Sequence, residues 1–160
     1  MIEHKGYNLP FLPFKTVTRI ITSIMSSAKG VESFTEGDIF EIDLTETTYP
    51  LAHLAYDNAS FDTGTLTYNF QLIVMDLVSK DESNEDYVLN DTLLTIGSII
   101  ATLRNSDNVT GVADYRNSFR IQDNVTCEPF TERFDNEVTG WAANFSVQVE
   151  FDANACDGYI

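Results

Sequence analysis

The chain has 160 residues, 43% of them hydrophobic and 21% charged. That is enough to bury one core without a disulfide or metal staple, and too little for two full-sized domains. Nine Lys and Arg stand against 25 Asp and Glu, a formal charge of −16, which argues against gripping nucleic-acid phosphate or an anionic membrane surface as a primary task.

No apolar run approaches the roughly 20 residues of a spanning helix. The first residues, MIEHKGYNLPFLPF, lack a continuous apolar stretch and a small-residue cleavage site, so no signal peptide is expected. Asn-x-Ser/Thr occurs at Asn58, Asn90, Asn108, Asn124 and Asn144. Without a secretory signal these sequons read as a by-product of an Asn-, Ser- and Thr-rich composition. Two cysteines, Cys127 and Cys156, make no disulfide framework and are expected to be plain thiols.

Residues 1–12 show no period and read as an N-terminal arm that docks on a neighbour or stays mobile. Residues 13–151 read as one domain, and 152–160 as a loose C-terminal tail. Pro13 suits a first helical turn. Phe14, Val17, Ile21, Ile24, Met25 and Ala28 then recur at steps of three and four, the apolar stripe of an amphipathic helix that Gly30 can cap. Residues 35–38 read as a turn. Phe40, Ile42 and Leu44 alternate with Glu41 and Asp43, and Ala52, Leu54 and Tyr56 with His53 and Ala55, predicting two short strands. Residues 57–64 read as a turn-rich loop. Thr65–Leu77 is a long strand, with Leu66, Tyr68, Phe70, Leu72 and Val74 on one face and a second face that turns apolar at Ile73 and Met75.

Lys80–Asp86 reads as an acidic connector in which Ser83 and Asp86 have capping-box spacing. A second helix is predicted with Leu89, Leu93, Ile96, Ile100 and Leu103 buried, widened by Ile99, and Gly97 packed closely on the sheet. Phe119 and Ile121 begin a final strand region, followed by a polar connection through Cys127, Glu128 and Pro129 and a short ambiguous stretch, Thr131–Asn136. Trp141, Ala143, Phe145, Val147, Val149 and Phe151 alternate strictly with intervening residues, the strongest strand pattern in the chain. The expected fold class is α+β, a largely antiparallel sheet with two helices packed on it.

Chemistry-bearing patterns are scarce. There is no phosphate-binding glycine loop, no H-E-x-x-H and no G-x-S-x-G. Cys127 and His53 make a nucleophile and base only if folding unites them, and the ordinary reading is a thiol and a strand histidine. Asp76, Asp81, Glu82, Glu85 and Asp86 form an acidic cluster that a hard cation would suit, but the spacing misses the calcium loop and the acids fit a helix N-terminus better. The expectation is therefore no catalytic residue, no cofactor and no metal. Phe61, Tyr87 and Tyr115 sit in polar surroundings and, with Asp81 and Glu82, are the candidate interface residues.

Two stretches carry a family resemblance. One is Tyr49-Pro50-Leu-Ala-His53-Leu-Ala-Tyr56. The other runs from Leu66 through Asp76-Leu77 and Lys80-Asp81-Glu82-Ser83-Asn84-Glu85 to Leu93. Together they resemble the tail-terminator or neck (head-tail joining) proteins of tailed bacteriophages, small domains with an N-terminal helix, a strand meander and a D-x-x-x-x-D-x-S-N connector into a second helix. The likeness covers residues 13–105, and the C-terminal strands agree in pattern only. It implies a structural virion protein, assembled in the host cytoplasm into a ring, usually sixfold. Such a ring contacts other neck, portal-connector or tail-tube proteins, lets DNA pass without specific binding and involves no membrane. It implies no enzymatic residues. The alternative is a small β-rich ligand- or glycan-binding module using exposed aromatics such as Phe61 and Tyr115. A hydrolase built on acidic residues is the third reading, although no pair of acids stands out for it.

Overall fold

The computed structural model describes residues 11–38, 48–105, 119–122, 124–133 and 137–151. Within them the fold is α+β: two helices and a curled, mixed, six-stranded sheet. The elements in order are α1 (Phe14–Ser27), β1 (Ser33–Glu36), β2 (Leu51–Asp62), β3 (Thr65–Leu77), α2 (Glu85–Arg104), β4 (Arg120–Ile121), β5 (Thr126–Arg133) and β6 (Glu137–Glu150). The strand order is β1-β2-β3-β6-β4, and β5 also pairs with β6. Only β1 with β2 is parallel; every other pairing is antiparallel. The expected strand through Phe40, Ile42 and Leu44 lies outside the described residues, as do residues 1–10 of the arm, the tail 152–160 and Cys156.

Strand parity sorts the sheet into two faces. Ala52 and Leu54 of β2 align with Val74 and Leu72 of β3, which align with Trp141 and Ala143 of β6. These residues face the helices and, with Val17, Ile21, Ile96 and Ile99, form the main core. On the opposite face Leu51, Ile73, Met75 and Val138 form a smaller apolar cluster, so the two-sided burial expected for the end of β3 is present. Elsewhere this face is polar: Asn69 donates to Asn58 Oδ1, Ser146 donates to Asn69 Oδ1, and Gln71 donates to Asn144 Oδ1 at 3.2 Å.

Several expectations are corrected. Residues 57–62 are strand, not loop. β2 continues to Asp62 across a bulge between Tyr56 and Ala59, and only Thr63 and Gly64 turn the hairpin. The bulge inserts one residue, so Tyr56 and Phe61 face the same side despite an odd spacing. Residues 33–36 form a strand that takes in the first half of the turn expected at 35–38, which leaves Gly37, at φ +115°, to turn the chain. The connection through Cys127 and Pro129 is strand β5, an edge position that tolerates a proline without an N–H.

The buried face of α2 is rotated from the expected stripe. Thr92 and Thr95 are buried, while Leu93 is 40% exposed. The threonine hydroxyls donate to the carbonyls of Val88 (2.7 Å) and Asp91 (3.0 Å), which satisfies them inside the helix and leaves their methyls to pack. Gly97 does not pack on the sheet; a Cβ placed there would meet open space. The capping box also fails. Asn84 precedes the helix without a side-chain cap bond, because its Oδ1 accepts from the Ser79 N–H instead.

At the other end of the molecule, Phe11 and Leu12 pack onto the domain. Leu12 is buried, its carbonyl accepts from Tyr68 Oη at 2.9 Å, and Phe11 meets Phe61 and Phe151 edge-on.

Candidate functional site

β3 delivers its last residues to the rim of the sheet, and the acidic connector turns there into α2. Ser79 is the hub of the turn. Its N–H donates to Asn84 Oδ1 (2.8 Å), its hydroxyl lies 2.8 Å from Asp81 Oδ1, and the Ser83 N–H donates to the same carboxylate (3.1 Å). These donors, the Ser79 and Ser83 side chains first, hold the Asp81 carboxyl below the usual carboxylate range. Asp81 is therefore a staple of the turn. Glu82 takes the left-handed conformation, φ +60°, that closes it.

The start of α2 is pinned to the sheet beneath. Trp141 Nε1 donates to the Leu89 carbonyl at 2.8 Å, while within the sheet Thr139, fully buried, donates to the Phe130 carbonyl of β5 at 2.8 Å. Asp76 lies half-buried under this corner. Burial raises its pKa and the Asp91 carboxylate adds to the rise, opposed by the Leu77 N–H, which donates to Asp76 at 2.8 Å. Glu85 and Asp86 occupy the first helical turn, where negative charge is favoured. Among the described residues no three His, Cys, Asp or Glu side chains converge closely enough to hold a metal ion.

Tyr87 projects from this corner, 74% exposed, and Leu94 lies two turns further along the same face, 66% exposed. Asp81, Glu82 and Tyr87 thus share one corner. Phe61 does not join them. It sits at the β2–β3 hairpin tip, about 35 Å away along β3 at ~3.3 Å per residue, in a cluster with Phe11 and Phe151 at 5.8 and 5.1 Å. Tyr115 lies outside the described residues.

His53 and Cys127 are not brought together. Strand alignment puts Cys127 on the helix face, and His53 on the other face three strands away, roughly 14 Å at ~4.8 Å per strand. His53 is buried. Its Nε2 lies 3.0 Å from the Gly37 carbonyl and so carries the proton, while Nδ1 lies 2.6 Å from the Thr35 hydroxyl. It clamps β1 to β2. Burial pushes the Cys127 thiol up, away from the reactive thiolate.

No protein-family model matches the chain, and no curated protein matches it. The candidate site therefore rests on its own geometry: a rigid acidic corner with an exposed aromatic and an exposed leucine. No helix among the described residues is long and apolar enough to cross a membrane.

The helix layer is segregated by charge. Residues 11–31 contain no acid, and Lys15, Arg19 and Lys29 are all exposed there. From Asp81 to Leu103, in contrast, there is no Lys or Arg. The two helices carry opposite charge, a segregation visible in the sequence as an acid-free run within a strongly acidic chain.

Proposed function

We propose that the protein is a structural subunit of a bacteriophage neck or tail-end ring, a tail terminator or head-tail connector, with a channel through which DNA passes. The observation that carries the reading is how the resembling segment packs. α1, the β2–β3 hairpin and α2 share the main core, and the connector joins β3 to α2. The connector residues that carry the likeness, Asp81, Ser83 and Asn84, are the ones that hold the turn. A ring subunit needs two unlike faces that close on each other, and the oppositely charged helices supply unlike faces. A net charge of −16 suits a channel that repels phosphate and so lets DNA slide. In this reading the chain is sixfold in its ring, contacts other neck, connector or tube proteins, resides in the virion and performs no catalysis.

The test is solution mass by light scattering over a concentration series, with negative-stain images of the same fractions. The expected result is a closed ring near six times 18.0 kDa with a central hole. Monomers at every concentration, or open chains without a hole, count against it.

A glycan-binding module is the second reading, favoured by the uncharged amide and hydroxyl row of Asn58, Asn69, Gln71, Asn144 and Ser146 on the outer sheet face. Such groups can bond sugar hydroxyls. This reading predicts a monomer with saturable binding on a glycan array, lost in Gln71→Ala with Asn144→Ala.

A further inference from the structure

We propose that the exposed basic face of α1 docks on the acidic corner of α2 in a second copy of this chain, head to tail. The proposal rests on the ring reading and names the contact that builds the ring.

Three observations carry it. The first is the placement of the cations. Lys15 and Arg19 lie one turn apart on the exposed side of α1, and Lys29 follows the helix. A cation in the first turn opposes the helix dipole, and like charges one turn apart repel. No acid on α1 offsets either effect. Among the described residues none of the three forms an ion pair. A helix so charged, in a chain with 25 acids, is suited to a partner outside itself.

The second is the complementary surface. Asp86 and Asp91 flank Tyr87 and Leu94 on the exposed side of α2. An exposed aromatic with an apolar neighbour and a charged rim has the anatomy of an interface centre. The third is size. Between Arg19 and Lys29 α1 presents Ser23, Ser26 and Ser27, and the Ser26 and Ser27 hydroxyls bond back to the Ser23 and Ile24 carbonyls of their own helix. The face is therefore small and locally satisfied, and it leaves room for the Tyr87 ring. Because the two patches differ, the contact is heterologous and propagates until it closes.

The test uses two variants of the full chain. One carries Lys15→Glu, Arg19→Glu and Lys29→Glu, which makes both faces acidic. The other carries Asp86→Lys and Asp91→Lys, which turns the rim of Tyr87 and Leu94 basic like the α1 face. Circular dichroism confirms that each folds, and sedimentation measures assembly near ~0.15 M salt, where the screening length is about 8 Å.

The expected result is that each variant alone self-associates at least about tenfold more weakly than wild type, as loss of close charge pairs implies, and that an equal mixture recovers assembly with the two alternating. Net charge alone predicts the reverse for the second variant, which is less negative than wild type and should repel itself less. Arg120→Glu, on β4 and away from both patches, controls for added negative charge elsewhere and should leave assembly intact. If wild type forms rings and both variants still do, the docking contact is overturned while the ring reading stands. If wild type forms open chains abolished by either variant, the contact stands and ring closure fails. A wild type that stays monomeric overturns both. Should either variant fail to fold, Tyr87→Ser with Leu94→Ser takes its place; unchanged assembly there also overturns the contact.

Discussion

Alanine at Gly97 and at Gly140 should move stability in opposite directions. At Gly97, an exposed position inside α2, an added Cβ meets nothing within 4 Å. Removing a helical glycine there should stabilise by about 1 kcal/mol, raising Tm by roughly 2–4 °C for a domain of this size. At Gly140, opposite Met75 in the β3–β6 pairing, a Cβ would stand 1.9 Å from the Val74 carbonyl oxygen and 2.9 Å from Met75 Cα. Both neighbours are backbone of the central strand, so no side-chain rotation relieves the clash. The cost should reach the top of the overpacking range, about 3 kcal/mol or more, lowering Tm by roughly 6–12 °C. Thermal melts followed by circular dichroism, at dilutions where any assembly is absent, read both effects. A Gly140→Ala protein melting with wild type would refute the β3–β6 register on which both sheet faces were assigned.

Three further outcomes follow from single side chains. His53→Leu leaves the Gly37 carbonyl and the Thr35 hydroxyl without their imidazole partner, and should cost about 2–3 kcal/mol in a urea titration. Asp76 has a raised pKa in the folded state, so its charged form opposes folding, and that loss sets in as pH rises through the carboxylate range. Asp76→Asn should therefore raise Tm at neutral pH, with the gain shrinking as acid protonates the wild-type group; a gain that persists in acid would show that charge burial is not the cause. Tyr56, whose hydroxyl donates to Glu36 Oε2 at 2.7 Å, has its pKa pushed up to about 12 by burial and then by Glu36. Spectrophotometric titration of Glu36→Gln should bring it down.

Legibility in the sequence followed the physics of each element. β3 and β6 were readable because one face of each is buried along the whole strand, so alternation is strict. The outer half of β2 was not, because Asp57-Asn58-Ala59-Ser60 is exposed and has turn composition, and a bulge breaks its period. β5 was hidden by Pro129, which only an edge strand accommodates. In α2 the error came from ranking leucine above threonine. The expected buried stripe includes Leu93 and omits Thr92, yet the Thr92 hydroxyl bonds within its own helix and the residue is buried. Of the candidate site, Asp81, Glu82 and Tyr87 were legible as a polar, acidic turn beside an aromatic. That Asp81 serves the turn itself needed coordinates, because two serines and an asparagine converge on one strand end. The basic face of α1 was present in the sequence as an acid-free run, and it gains meaning only when the other helix is seen to carry the opposite sign.

Salt should separate the fold from the assembly. Within one chain at −16, self-repulsion opposes the compact state, so screening should raise Tm steadily as salt is added. Between two copies the same net charge repels at long range, whereas the α1 cations and α2 acids attract only at contact. At about 0.01 M salt the screening length is ~30 Å, the whole negative charge of each copy is felt, and association should be weak. Near ~0.1 M it falls to about 10 Å, distant acids are silenced and the local pairs remain, so association should pass through a maximum. By ~1 M the length is about 3 Å, even exposed pairs are screened, and the charge-dependent part of the affinity should be gone. Sedimentation across this range should therefore give a peaked curve while Tm rises monotonically. A steady rise in association with salt would mean that only net repulsion matters and that the two helix faces do not meet.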